Sequence, residues 1–179
     1  MSDYDLERFC VECRDALSAD SGAKGREAVR RCVEKLLSNP AFVAAHVPVP
    51  RKKGRTVLHR DAETGFCVMA HGTPEGNGVG RPHDHGASWA VYGQAHGVTE
   101  MTVWRRTDSG EASGRAEIEP AQTFALEPGR AALFDTGVIH NTAHPRPAAW
   151  VRVTGADLDR IERHRYDPAR KTMERMTAE

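Results

Sequence analysis

After residue 54 the chain is written in short runs: RTVLHR, GFCVMAH, SWAVYGQA, VTEMTVWRR, RAEIE, TFALEP, RAALF and AAWVRVT. Val, Thr, Phe and Trp, which suit a pleated and half-buried surface, are frequent in them. Gly, Pro, Asp and Asn break the runs at intervals of roughly ten residues. This rhythm leaves few folds open. Many short strands joined by tight turns pack as a two-sheet sandwich or close into a barrel, so an all-β architecture is expected for this part of the chain. No internal repeat of solenoid type and no low-complexity segment interrupts it.

The residues ahead of the strands follow a different period. Leu6, Phe9, Cys10, Cys13 and Leu17 recur at helical spacing, with Ser2 or Asp3 available as a cap. Ser18 to Gly25 reads as a turn. Val29, Cys32, Val33, Leu36 and Leu37 mark a second helix, stopped at Ser38-Asn39-Pro40 because proline restricts the residue before it. A short third piece is expected through Ala41 to Ala45. The apolar faces of these helices need a partner, and the sheet that follows is the simplest one. The stretch VPVPRKKGR reads as an extended linker. The expected organisation is therefore one domain: helices over residues 1–46 packed on a barrel over 47–168, then a mobile tail over 169–179. Within the end of that barrel segment, ADLDRIERHR is expected to form a helical turn or two.

Composition narrows the partners. In 179 residues, 25 basic groups balance 25 acidic ones, so no basic field exists to hold nucleic acid. No apolar run approaches the roughly 20 residues that span a bilayer. The first residues, MSDYDLERF, are acidic and polar where a secretory signal would be basic and then apolar. The expectation is a cytoplasmic protein with neither a nucleic-acid nor a membrane partner. Cys10, Cys13, Cys32 and Cys67 suit buried small apolar positions; Cys10-Val-Glu-Cys13 lies in a helical pattern with no second pair to complete a zinc site.

The chemistry lies in the histidines. His46, His59 and His164 stand in polar contexts and are expected at the surface. His83 and His85, in GRPHDHGASW, are two apart, a spacing that puts both imidazoles on one face of a strand. A third histidine, His140, follows an Asp135-Thr136-Gly137 turn. The two segments match, in order, the paired motifs G-x5-H-x-H-x3–4-E-x6-G and G-x5-P-x-G-x2-H-x3-N of the cupin superfamily. Gly97, Gly129, Gly137 and His140 fall in register, while Asp135 replaces the proline and His144 the asparagine. The chain therefore resembles a cupin, which implies a double-stranded β-helix, a jelly-roll-like barrel, with a metal on His83, His85 and His140. The motif glutamate would fall at position 90, which is Ala90. Three neutral imidazoles then carry the ion without a carboxylate, and imidazole suits Fe, Zn, Cu and Ni alike.

A cupin centre of three histidines resembles the cysteine dioxygenase-like, or thiol dioxygenase, family, and the block from Gly54 through the H-D-H to Arg106 is similar to that family's. The closing LDRIERHRYDP is similar as well. The resemblance implies Fe(II), with O2 and a small anionic thiol or carboxylate as substrates, and it places Arg55 where the family binds the substrate carboxylate. Two features depart from the family. Ala90 excludes the cysteine–tyrosine cross-link of its mammalian members, and the Ser-x-His-x-Tyr of a late strand is replaced by Trp150-Val-Arg152-Val-Thr154. Cysteine is therefore not the substrate to expect. Period two on that strand turns Arg152 inward as a second substrate-binding residue, and Tyr92 is the phenol available in place of the missing catalytic one. The leading expectation is a mononuclear non-haem Fe(II) dioxygenase. Its alternatives are a Zn- or Ni-dependent isomerase, lyase or hydrolase, and a non-enzymatic metal-binding sensor. Pairing into a homodimer, common among cupins, is an expectation without an interface signature in the sequence.

Overall fold

A computed structural model describes residues 4–49, 53–76 and 78–176. Ser2 and Asp3, part of the linker and the last residues of the tail lie outside the described residues.

Three helices come first: α1 Leu6–Ala19, α2 Ala23–Leu37 and α3 Pro40–His46. The cap of α1 is Asp5, whose carboxylate accepts from the Arg8 amide at 2.9 Å. This corrects the assignment to Ser2 or Asp3: an N-cap side chain must reach an amide in the first turn, and Asp5 stands immediately before it. Asn39 caps α3 through the amides of Ala41 and Phe42, with Pro40 in the first turn, where its missing N–H costs nothing.

The barrel strands are β1 Gly54–Arg60, β2 Cys67–Thr73, β3 Gly78–Val79, β4 Ala90–His96, β5 Thr99–Arg106, β6 Ile118–Leu126, β7 Ala131–Phe134, β8 Ile139–His144 and β9 Ala148–Thr154. One sheet has the order β1-β2-β9-β4-β7 and the other β3-β8-β5-β6, and every pairing is antiparallel. From β2 to β9 the chain alternates between the sheets, except at the β5–β6 hairpin. That order and alternation make a double-stranded β-helix, the cupin architecture. RAEIE and TFALEP, expected as two strands, contribute to the single strand β6. Pro120 is tolerated there because β6 is an edge, and the register shifts beside it.

Alternation along the first sheet sorts its two faces. Val68, Ala70, Val91, Val151 and Val153 point outward and form one buried cluster with Phe9, Cys13, Val29, Val33 and Leu36 of the helices. Gly93 lets α2 come close: a Cβ there would stand 2.3 Å from Val33 Cγ1 and 2.8 Å from Leu37 Cδ1. The helices are thus a cover laid on the barrel, held also by Arg14 on Asp61 at 2.7 Å and by an Arg26–Asp135 ion pair. Cys10 and Cys13 are buried in this layer, as expected. The other face carries Met69, Tyr92 and Arg152, directly opposite one another across β2, β9 and β4, with His71 next along on β2.

The tail is corrected in part. Residues 163–167 form β10, Arg163–Asp167, and residues 172–176 form β11, Thr172–Met176, paired as an antiparallel hairpin. ADLDRIERHR gives one 3-10 turn, Leu158–Arg160, and then enters β10. The hairpin docks because Tyr166 is buried against Ala116 and Ile139, a contact that local sequence does not announce. Among the described residues no helix is long and apolar enough to cross a membrane.

Candidate metal centre

His83 and His85 do not lie on a regular strand, contrary to the sequence expectation. His83 forms an isolated bridge, facing His140 on one side and Arg165 on the other. His83 and His140 exchange both backbone hydrogen bonds at 2.9 Å, the narrow pair of an antiparallel ladder. The residues from the two sequence motifs are therefore joined through the main chain itself.

Asp84, between the two histidines, is buried and secures the segment. Its carboxylate accepts from the Gly86 amide at 2.8 Å, the His164 amide at 3.1 Å and the Tyr166 hydroxyl at 2.7 Å. Gly86 then turns the chain at φ +58°, with the Glu162 carbonyl oxygen 2.0 Å from where a Cβ would stand. That turn brings His85 round onto the same point as His83. His164, expected at the surface, packs with Nδ1 3.4 Å from Asp84, and His59 is half-buried against Phe66.

The ring nitrogens of His83, His85 and His140 that face one another lie within 4.8 Å. Their far sides are engaged or enclosed. His83 Nδ1 lies 3.2 Å from the Arg81 carbonyl, His140 Nδ1 lies 3.5 Å from that of Val138, and His140 stacks on Phe134 at 4.1 Å. The His140 Nε2 atom is buried with no hydrogen-bond partner. A buried polar atom without a partner is costly, and a metal ion is the partner three convergent imidazoles suit. Burial pushes the pKa of His83 down, and those of His85 and His140 well down, so all three are neutral near pH 7. Neutral imidazole is the ligating form. The donor set fits a divalent ion, with Nε2 of His140 and the inward nitrogens of His83 and His85 as its ligands.

Tyr92 lies against this cluster, its hydroxyl 3.3 Å from His85 Nε2 and its ring edge-on to His140. Arg152 is the residue opposite Tyr92 on β9. Its Nε is buried and unpartnered, and its only hydrogen bond among the described residues is a weak one from Nη2 to the Met69 sulfur at 3.8 Å. Both residues line a cavity of about 480 Å3 that opens from His83. Arg55 lines it too, but its guanidinium holds Asp159 at 2.8 and 3.3 Å, so it reaches the cavity already engaged by a carboxylate.

His71 and His144 also line the cavity and were not singled out in the sequence as part of the site. They sandwich Trp150, with centroids 5.5 and 4.4 Å from its ring. Burial lowers His71 well below its ordinary range and His144 to about 4. Alternation on β2 was the available signal for His71, two residues after the inward Met69. His144 Nδ1 is engaged by Thr99 at 3.0 Å, and the residue stands apart from the three-histidine cluster.

No family model and no curated protein sequence matches the chain. Among solved structures it is similar to KdgF from Halomonas sp., at 16% identity over 60% of this chain and 81% of that one, with a TM-score of 0.43. It is similar to a cupin superfamily protein from Desulfitobacterium hafniense, at 13% over 60% and 83%, with a TM-score of 0.41. A third is the cupin domain of Cnp3 from Schizosaccharomyces pombe, at 13% over 65% and 73%, with a TM-score of 0.46. The likeness is loose, and no activity is taken from it.

Proposed function

We propose that this protein is a mononuclear non-haem iron dioxygenase, of the thiol dioxygenase kind, acting on a small anionic substrate. The observation that carries this reading is the set of three convergent neutral imidazoles with no carboxylate among them, opening onto a basic cavity. Three neutral ligands leave the charge of a dication uncompensated, which favours anionic substrates at its remaining positions. Bound Fe(II) would supply the position at which O2 and substrate meet.

The chain's own residues have separable tasks. Arg152 holds the substrate's anionic group, because a guanidinium whose Nε is buried and unpartnered gains most from a carboxylate. Tyr92 holds a proton at Oη within reach of the ligand cluster. Trp150, His71 and His144 wall the cavity and exclude water from one side. Arg55 tunes the cavity's charge through its pair with Asp159 and is a secondary anchor.

The test has two parts. Metal content is measured after expression and after reloading, and O2 uptake by the iron-loaded protein is then followed with thiols, β-diketones and aromatic acids. Iron binding with substrate-dependent O2 uptake is expected. Turnover without O2 in zinc- or nickel-loaded protein would replace this reading with an isomerase, lyase or hydrolase. Ligand binding with no turnover under any metal would make the protein a sensor.

A further inference from the structure

The cavity walls are charged on one side only. Lys53, Arg55, Arg81, Arg152, Arg163 and Arg165 line it, and among the described residues no Asp or Glu does. Arg55 is paired with Asp159 and Arg81 with Glu174 outside the lining. Among the described residues Lys53, Arg152 and Arg165 have no ion pair. Two of the lining residues, Arg152 and His71, each have a guanidinium or ring nitrogen (Nε and Nε2) buried without a hydrogen-bond partner. Since the chain as a whole has balanced charge, the one-sidedness belongs to this cavity.

Two consequences follow for a ligand. An ammonium group needs a counter-charge or several oxygen acceptors when it leaves water, and among the described residues this lining supplies no carboxylate and six cations that repel it. A single carboxylate satisfies Arg152 and leaves Lys53 and Arg165 without a counter-charge. Arg152 stands at the metal end, opposite Tyr92. Lys53, which is exposed, lies immediately before β1, and Arg165, on β10, flanks His83 on the side away from His140; both line the same cavity.

We infer that the cavity takes a small acid with two anionic groups and no ammonium group, one anion on Arg152 and the second on the other cations of the lining without an ion pair, Lys53 and Arg165. The inference rests on the reading of this cavity as the substrate site. It separates the substrate from zwitterionic amino acids, whose ammonium group finds no counter-charge here. A carboxylate and a phosphonate share the chemistry required of the second group.

The inference is tested by calorimetric titration of zinc-loaded protein, in which no oxidation occurs. The probes are the dicarboxylates from succinate to adipate, their monoamides, L-glutamate and 3-phosphonopropionate. The best dianion is expected to bind at least tenfold more tightly than its monoamide and than L-glutamate. Its rank against 3-phosphonopropionate identifies the preferred second group. In the Lys53→Gln/Arg165→Gln double variant, the preference for dianion over monoamide should fall to threefold or less, with monoamide affinity unchanged. Lys53 is exposed and Arg165 half-buried beside His83, so the variant is required to keep its zinc content and Tm, which separates binding from folding. The same order is expected, at lower affinity, in metal-free protein. A monoamide or L-glutamate equal to the dianion, no binding by any dianion, or an undiminished preference in the double variant would overturn the inference. Failure of the iron form to consume O2 overturns the dioxygenase reading alone, because the titration does not depend on turnover.

Discussion

At the scale of single residues, the three clustered histidines and their neighbours make separable predictions. Replacing His83, His85 or His140 by Ala removes one of the three candidate ligands, and among the described residues the cluster has no spare donor. Each variant should purify with little metal, measured as bound metal per chain. His144→Ala should keep it, because that ring is engaged by Thr99 and Trp150 instead. Full occupancy in all three ligand variants, or its loss in His144→Ala, would require a different ligand set. Tyr92→Phe keeps the ring that packs on Phe134 and His140 but removes the hydroxyl beside His85. If that hydroxyl moves a proton in the reaction, kcat falls about 100-fold or more while metal content is unchanged. A tyrosine that only packs the barrel wall would leave kcat within a few-fold.

At the scale of elements, the H-D-H segment is an irregular piece held between β8 and β10. Its geometry depends on Gly86, where both the positive φ and the Glu162 carbonyl exclude a side chain. Gly86→Ala should cost at least about 1–3 kcal/mol in strain, read as a lower Tm. It should also weaken metal binding, because the turn sets the direction of His85. A variant with native Tm and native metal affinity would show that the turn is not what positions the ring. Asp135 is informative at this scale as well. It stands where the cupin motif has proline, and it pairs with Arg26 of α2, so the departure from the motif is used to tie the helical cover to the β7–β8 turn.

At the scale of the whole molecule, helices and barrel share one core. A chain beginning near Val47 exposes Val68, Val91, Val151 and Val153, which are buried under the helices. Contiguous apolar surface of that kind leads to association, so the truncated protein should be insoluble or much less stable; a soluble, monomeric and fully stable fragment would contradict a shared core. Acid should also destabilise the metal-free protein. Burial lowers His71 well below 6.5 and His144 to about 4, so between these values and 6.5 the unfolded chain binds protons that the folded chain does not. Stability is then full above pH 6.5 and falls as pH drops towards 4. The slope is up to about 1.4 kcal/mol per pH unit for each such group. Denaturant melts of metal-free protein at pH 7, 6 and 5 measure it, and a flat profile would mean that these rings are protonated in the folded state.

The helices, the strand rhythm and the three histidines were legible in the sequence because each rests on local periodicity or on a fixed spacing between turns and ligands. The inward face of β9 was legible for the same reason: strict alternation places Trp150 and Arg152 on one side and Val151 and Val153 on the other. What the sequence did not determine depends on long-range contact. The β10–β11 hairpin forms where a helical turn or two and then a mobile tail were expected, because Tyr166 finds Ala116, Ile139 and the carboxylate of Asp84. His71 joins the cavity because β2 pairs with β9 and stacks it on Trp150. Arg55 and Arg152 read alike in the sequence, and the tertiary structure gives them different surroundings: Asp159, more than a hundred residues from Arg55, holds one guanidinium at 2.8 Å, while the other feels Asp159 at longer range and makes its one hydrogen bond among the described residues to a methionine sulfur. Local pattern determines which way a side chain points, and the distant segment that meets it there decides whether its charge is already satisfied.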